Sequence, residues 1–203
     1  MSKTATRDKI LGAALHVFAE KGYHRAAVDD IVRASRTSKG AVYHHFPNKE
    51  ALFLALVDEL AARLSSALTT AIQASHGALE KVGAALRAGL ETFAEHRELA
   101  RILLLESVSL GRAYEAKRAE VHGRFAALIR AHLDEAVSEG SISPLDTRVA
   151  TLAWLGAVNE VVVQWLHGDE PDLLERAVPA LTPMLLRSIG AEKPVGAMTD
   201  QSR

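Results

Sequence analysis

Residues 27–49 read AVDDIVRASRTSKGAVYHHFPNK, and the reading of the whole chain turns on them. Val28, Ile31 and Val32 recur at i, i+3 and i+4, and after a break Val42 and Phe46 repeat the four-residue spacing, the period of short amphipathic helices. Between the two stripes lies Ser35-Arg36-Thr37-Ser38, side chains that bond to nearby backbone, compete with helix and offer an N-cap to the second helix. Asp29 and Asp30 fall in the first turn of the leading helix, where negative charge suits the helix dipole. The second helix is confined to about residues 39–45, because the residue before Pro47 is pushed out of the helical region. Two turns are not stable alone. A helix that buries Val42 and Phe46 while exposing Lys39, Gly40, Tyr43 and His44 is suited to presenting side chains, and the pattern predicts a helix-turn-helix.

Charge separates along the chain in the same sense. Residues 1–49 carry nine Lys and Arg against four acids, and the remainder carries fifteen against twenty-one, although the net charge of the whole is only −1. A basic head on an acidic body fits phosphate contact at one end and a different task at the other.

Several of these residues carry a resemblance. Gly22-Tyr23, then Val28-Asp29-Asp30-Ile31, then the run SKGAVYHHFPNKEAL over residues 38–52 resemble the DNA-binding domain of the TetR/AcrR family of bacterial transcriptional repressors, across roughly the first quarter of the chain. The resemblance implies a third helix in the major groove of double-stranded DNA, with Tyr43 and Lys49 on phosphates and Lys39, Ala41 and His44 near base edges. Arg36, Thr37, Ser38 and Gly40 complete the expected DNA surface. Two positions depart from the family pattern. Arg36 stands where the turn usually has Gly, so it bears αL strain or the turn differs. Ala27 stands where Thr or Ser usually caps the second helix, which leaves Asp29 or Asp30 to satisfy first-turn amides.

Composition bounds the rest. The 203 residues suffice for a real core, and sparse Gly and Pro with abundant Ala and Leu point to an all-α chain. Zero cysteines exclude disulfide scaffolds, cysteine-ligated zinc and thiol catalysis. The start MSKTATRDKI has no signal-peptide core and no run of about 18 uncharged apolar residues occurs, so a cytoplasmic protein without a membrane partner is expected. His44 and His45 are adjacent and point about 100° apart on a helix of 3.6 residues per turn, and no HExxH, Walker A, nucleophile elbow or dinucleotide motif appears. Neither metal, cofactor nor catalysis is expected.

In chain order, Ile10, Leu11, Ala14, Leu15 and Phe18 stripe a helix over residues 6–20, with Thr6 as its cap, Lys3 and Arg7 near phosphates and Gly22 as its stop. These elements make residues 1–48 a three-helix head, residues 49–191 a helical ligand-binding and dimerisation body, and residues 192–203 a disordered tail. Asn48 caps a fourth helix with Leu52, Leu56, Leu60, Leu64 and Leu68 at four-residue spacing, on the order of 40 Å long. It links head to body and reads as a lever. Past Gly77 come further helical periods carrying Val82, Leu86, Leu90 and Phe93, then residues 102–105 with Glu106 at their edge, then Val121, Phe125, Leu128, Ile129 and Leu133. These helices are expected to surround the small-molecule cavity that the resemblance implies. Residues 149–166 are apolar nearly all round and need cover on both sides. A four-helix interface between two copies supplies it, formed with a last helix that carries Leu174, Val178, Leu181, Leu185 and Ile189 in one stripe and is bent by Pro179 and Pro183. Its expected contacts are Leu155, Val158, Val162, Trp165, Leu166, Leu181 and Leu185. Buried polar groups among aliphatics must be paired, so Glu106 and Asn159, together with Phe93, Leu103, Phe125 and Trp154, are the candidate ligand contacts, for a mostly hydrophobic effector that is aromatic, acyl or cationic.

The resulting expectation is a homodimeric, ligand-responsive regulator, a repressor that binds a palindromic operator and is released by that effector. A helical carrier protein whose head has lost DNA contact, and a sequence-indifferent DNA-coating protein, are the alternatives.

Overall fold

In a computed structural model the described residues are 3–105, 111–168 and 172–190. Among them run nine α-helices and no strand: α1 (Lys3–Lys21), α2 (Val28–Ser35), α3 (Lys39–His45), α4 (Lys49–Gln73), α5 (Ala78–Glu95), α6 (Arg97–Leu105), α7 (Gly111–Ser138), α8 (Thr147–His167) and α9 (Val178–Ser188). A π-helical turn, Leu173–Ala177, precedes α9. The chain is all-α. Glu106, the side chain of Lys3 and the tail from residue 192 lie outside the described residues.

α1 already includes Lys3, so Thr6 lies inside the helix and does not cap it. Gly22 stops α1 at φ 74°. Ile10, Ala14 and Phe18 of α1, Ile31 of α2, Val42 of α3 and Leu52 of α4 are all fully buried, so four amphipathic stripes meet in one core. α3 occupies residues 39–45: Ser38 Oγ accepts the Ala41 amide at 3.1 Å to start it, and Phe46 leaves helical geometry ahead of Pro47. Ala27 has no side-chain cap to offer, and Asp30 Oδ2 instead takes the Ala27 amide at 3.1 Å, one half of a capping box.

Arg36 closes α2 in the left-handed region, φ 50° and ψ 40°, and is the one non-glycine residue there among the described residues. The strain costs about 1–2 kcal/mol, partly offset because glycine loses more freedom on folding. Arg36→Gly is therefore expected to raise stability by about 0.5–1 kcal/mol, read as a higher melting temperature. A lower one would mean that the arginine side chain makes contacts outweighing the strain.

α4 runs the distance expected, capped by Asn48 Oδ1 on the Ala51 amide at 2.8 Å, and buries Leu52, Leu56, Leu60, Leu64 and Leu68. It packs most extensively along α5, while α6 touches both α1 and α4 and so joins head to body a second time.

The C-terminal helices correct the sequence reading in two places. Val162, Leu166, Leu181 and Leu185 are buried within the protomer, Leu155 and Val158 line a cavity inside the body, and Trp165 alone of the expected dimer contacts keeps part of its surface free of these roles. A helix apolar all round gives no phase by which to tell its inward face from its outward one, and the chosen face was the inner one. The outward face carries Val149, 61% exposed, and Leu152, 57% exposed, and continues through Ala153, Gly156 and Glu160. By length and composition alone α8 could cross a membrane, a test that core helices of soluble proteins also pass. Lastly, Leu173 is buried and Leu174 exposed, the reverse of the expected stripe. The Val178 amide reaches back five residues to the Leu173 carbonyl, and this wide turn shifts the register just before Pro179, which sits in the first turn of α9 where its missing N–H costs little. Pro183 remains inside α9.

A candidate DNA-binding surface and a candidate effector cavity

The exposed face of the head is built on α3 and the turn before it. Arg36, Ser38, Lys39, Gly40, Tyr43 and His44 are exposed, with Thr37 and Ala41 half-buried among them. Thr37 Oγ1 and Ser35 Oγ lie 2.8 Å apart and brace the turn. A Cβ on Gly40 would meet only Ser38 Oγ, at 4.0 Å. Packing within the protein therefore does not require glycine there, despite its cost of about 1 kcal/mol in a helix. Lys39 Nζ lies 2.8 Å from Asp29 Oδ1, a bond that raises the lysine's pKa. That acidic neighbour was not anticipated. It lies ten residues upstream and only the fold of α2 on α3 brings it close.

Lys49 departs from the implied role. Its ammonium turns into the protein, donating to the carbonyls of Tyr23 at 2.8 Å, Ala26 at 3.0 Å and His24 at 3.3 Å and lying 4.4 Å from the centre of the Tyr23 ring. Burial pushes its pKa down. It seals the turn between α1 and α2 instead of facing outward. Arg7 lies over the Phe46 ring at 5.5 Å, which fixes α1 against the end of α3.

The body holds a half-open cavity of about 420 Å³ between α4, α5, α6, α7 and α8. Of the candidate ligand contacts, Phe93, Leu103, Phe125 and Asn159 line it. Trp154 does not: it is 2% exposed in the protomer core, and its indole Nε1 donates to Ser188 Oγ at 3.2 Å. Leu60, Leu64 and Leu68 of the lever helix form one wall. Most of the polar lining comes from α7, as Glu115, Arg118, His122 and His132, which the sequence reading missed. They fall on the stripe that also holds Val121, Phe125 and Ile129, so helical spacing from Phe125 would have found them. Arg118 pairs with Glu115 at 3.0 Å. Partial desolvation at the cavity mouth, then the Arg118 charge, lower the His122 pKa and favour a neutral ring. His132 Nδ1 meets Glu135 Oε2 at 2.8 Å, and Lys81 meets Oε1 at 2.9 Å, so the Glu135 carboxyl is held below its usual range by His132 and Lys81. Among the described residues no cluster of three potential metal ligands occurs.

Comparison with known proteins joins the two halves. Residues 10–56 match the family of bacterial regulatory proteins called tetR, and residues 75–171 match the tetracyclin repressor-like C-terminal domain. The chain belongs to the TetR family. The fatty acid metabolism regulator protein of Bacillus subtilis is 26% identical over 163 residues, 80% of this chain and 84% of that one. The structure of the fatty acid degradation regulator FadR from Bacillus halodurans superposes with a TM-score of 0.80 at 29% identity, covering 88% of this chain and 97% of that one. FadR from Bacillus subtilis in complex with stearoyl-CoA superposes at 0.79 and 23% identity, covering 91% and 98%. As a TetR-family member the protein is a ligand-responsive, DNA-binding transcriptional repressor. The N-terminal family match spans most of α1, all of α2 and α3 and the start of α4, and the C-terminal match spans all the cavity-lining helices except α4.

Proposed function

We propose that the protein works in the cytoplasm as a homodimer on a palindromic operator, as a regulator and not as a catalyst, and that an acyl thioester of coenzyme A filling the cavity releases it. Residues 1–48 form the DNA-binding unit, and residues 49–191 the unit for ligand and partner. The observation that carries this reading is the placement of a mostly apolar cavity against α4, whose first turn is part of the head core. The relatives that act in fatty acid metabolism, one of them holding stearoyl-CoA, support an acyl chain as the apolar part of the effector. Arg118 and His122, at the cavity's polar side, suit the head of such a molecule. The exposed apolar face of α8 through Val149 and Leu152 suits a second copy, whose recognition helix would then lie about one DNA turn, ~34 Å, from the first. For the DNA surface, Tyr43 is assigned to phosphate and Lys39 to a guanine edge, where an ammonium finds O6 and N7.

The test is selection of a duplex from a random pool, followed by titration with palmitoyl-CoA. Tyr43→Ala is expected to weaken the selected duplex and random DNA by the same factor. Lys39→Ala is expected to reduce preference for the selected duplex by about tenfold, the value of one base contact at the lower end. If both variants bind as the wild type does, α3 is not the reading helix.

A further inference from the structure

We propose that Tyr114 is the residue through which filling of the cavity reaches the DNA-binding head. The inference rests on the cavity being the effector site. Tyr114 lies in the first turn of α7 and is 5% exposed, with the cavity on one side of it. Its hydroxyl donates to the Leu103 carbonyl at 2.8 Å, near the end of α6, so the ring is held to a second cavity-lining helix as well as its own. The ring also meets Phe53 of α4, with centroids 5.9 Å apart and planes at 71°. Phe53 is 1% exposed and packs into the head: it meets Tyr23 at 5.2 Å and Phe18 at 5.9 Å. Tyr23 in turn carries the Lys49 ammonium, which holds the carbonyls of Tyr23, His24 and Ala26 immediately ahead of α2.

Each member of this series touches the next, and a close-packed interior transmits displacement because it has no voids to absorb it. One turn along α7 from Tyr114, Lys117 binds Asp58 of α4 at 3.1 Å and Glu120 at 2.9 Å, which keeps α7 against α4 while the ring moves. A ligand that displaces Tyr114 therefore shifts Phe53, then the Tyr23 turn, then the start of α2. A lever acting through the far end of α4 alone would not depend on an aromatic ring at position 114.

The decisive measurement fills the cavity without a ligand. Gly89 lines it, and a Cβ there meets Leu68 Cδ1 at 3.6 Å, an ordinary contact, so Gly89→Phe places a ring inside. Affinity for a duplex selected by the wild type from a random pool is measured for the wild type, Gly89→Phe, Tyr114→Leu and the double variant, each checked for helical content and a cooperative melt. Gly89→Phe is expected to weaken binding about tenfold, within the range of allosteric couplings, and the same substitution is expected to change it less than about threefold on the Tyr114→Leu background, below the usual coupling. Tyr114→Phe, which keeps the ring and drops the hydroxyl, should preserve the full response. Should Tyr114→Leu fail to fold, Phe53→Leu cuts the same contact from the head side and must give the same loss. Equal weakening on both backgrounds, or no weakening by Gly89→Phe in the wild type, overturns the proposal. Palmitoyl-CoA is run in parallel: if it leaves wild-type binding unchanged while Gly89→Phe lowers it, the assignment of the effector falls and the coupling through Tyr114 stands.

Discussion

Leu152→Glu is expected to turn the proposed dimer into a folded monomer and to weaken operator binding by about two to four orders of magnitude, the range over which joining two sites multiplies affinity. Leu152 is 57% exposed on the outward face of α8, one turn from the equally bare Val149. Carboxylates brought to a twofold interface from each copy would be desolvated without partners. In the separate protomer the same side chain points to water, so the fold should survive. Light scattering after gel filtration reads the mass directly, and an undiminished dimer mass would refute the proposed interface. Val162→Glu makes the contrast. Val162 is 0% exposed, and a charge there is expected to unfold the protomer instead of separating two copies.

Trp154→Ala is expected to cost about 3–5 kcal/mol of stability, the usual loss for a large aromatic removed from a core, and to leave palmitoyl-CoA affinity per folded molecule nearly as it was. The indole is buried, and Ser188 of α9, which accepts its N–H, donates onward to the Leu185 carbonyl at 2.6 Å, so the substitution opens a cavity and removes the tie from α8 to α9, while the exposed Ser188 hydroxyl keeps its bond to Leu185. Urea unfolding measures the loss, with Trp165 as the remaining fluorophore. A small change in unfolding combined with a tenfold or greater loss of probe affinity, about 1.4 kcal/mol, would return Trp154 to the ligand site.

What could be read in the sequence was whatever local chemistry fixes. Ser38 and Pro47 bound α3 on both sides, and the leucine spacing of α4 tells its buried face from its exposed one. Periodicity fails where a helix has no polar side, as in α8, and where the period itself changes, as in the π turn that exchanges Leu173 for Leu174. It also cannot tell a wall from a core. Val121, Phe125, Leu128 and Ile129 form a regular apolar stripe, yet all are only half-buried because they border a cavity. Phe93, Leu103, Phe125 and Asn159 were found from residue type on the right helices, whereas Trp154 lies on the right helix but faces the core. Lys49 and Asp29 show the remaining limit. Their partners are set by how α1, α2 and α3 fold together, and no spacing in one helix encodes that.

The ion pairs of the head bear on how many cations it presents to DNA. Lys49 is occupied by carbonyls, Lys21 holds Asp30 at 3.0 Å and Lys39 holds Asp29 at 2.8 Å. Residues 1–49 have five more basic than acidic side chains, but an ammonium held by three carbonyls, as in Lys49, neutralises no phosphate and displaces no condensed sodium ion. Each phosphate contact contributes about 0.9 to the slope of log affinity against log salt. The slope of each protomer should therefore count the outward-facing basic groups that reach phosphate, such as Arg36, with Lys49, held by carbonyls, and Lys39, assigned to a base edge, left out of the sum.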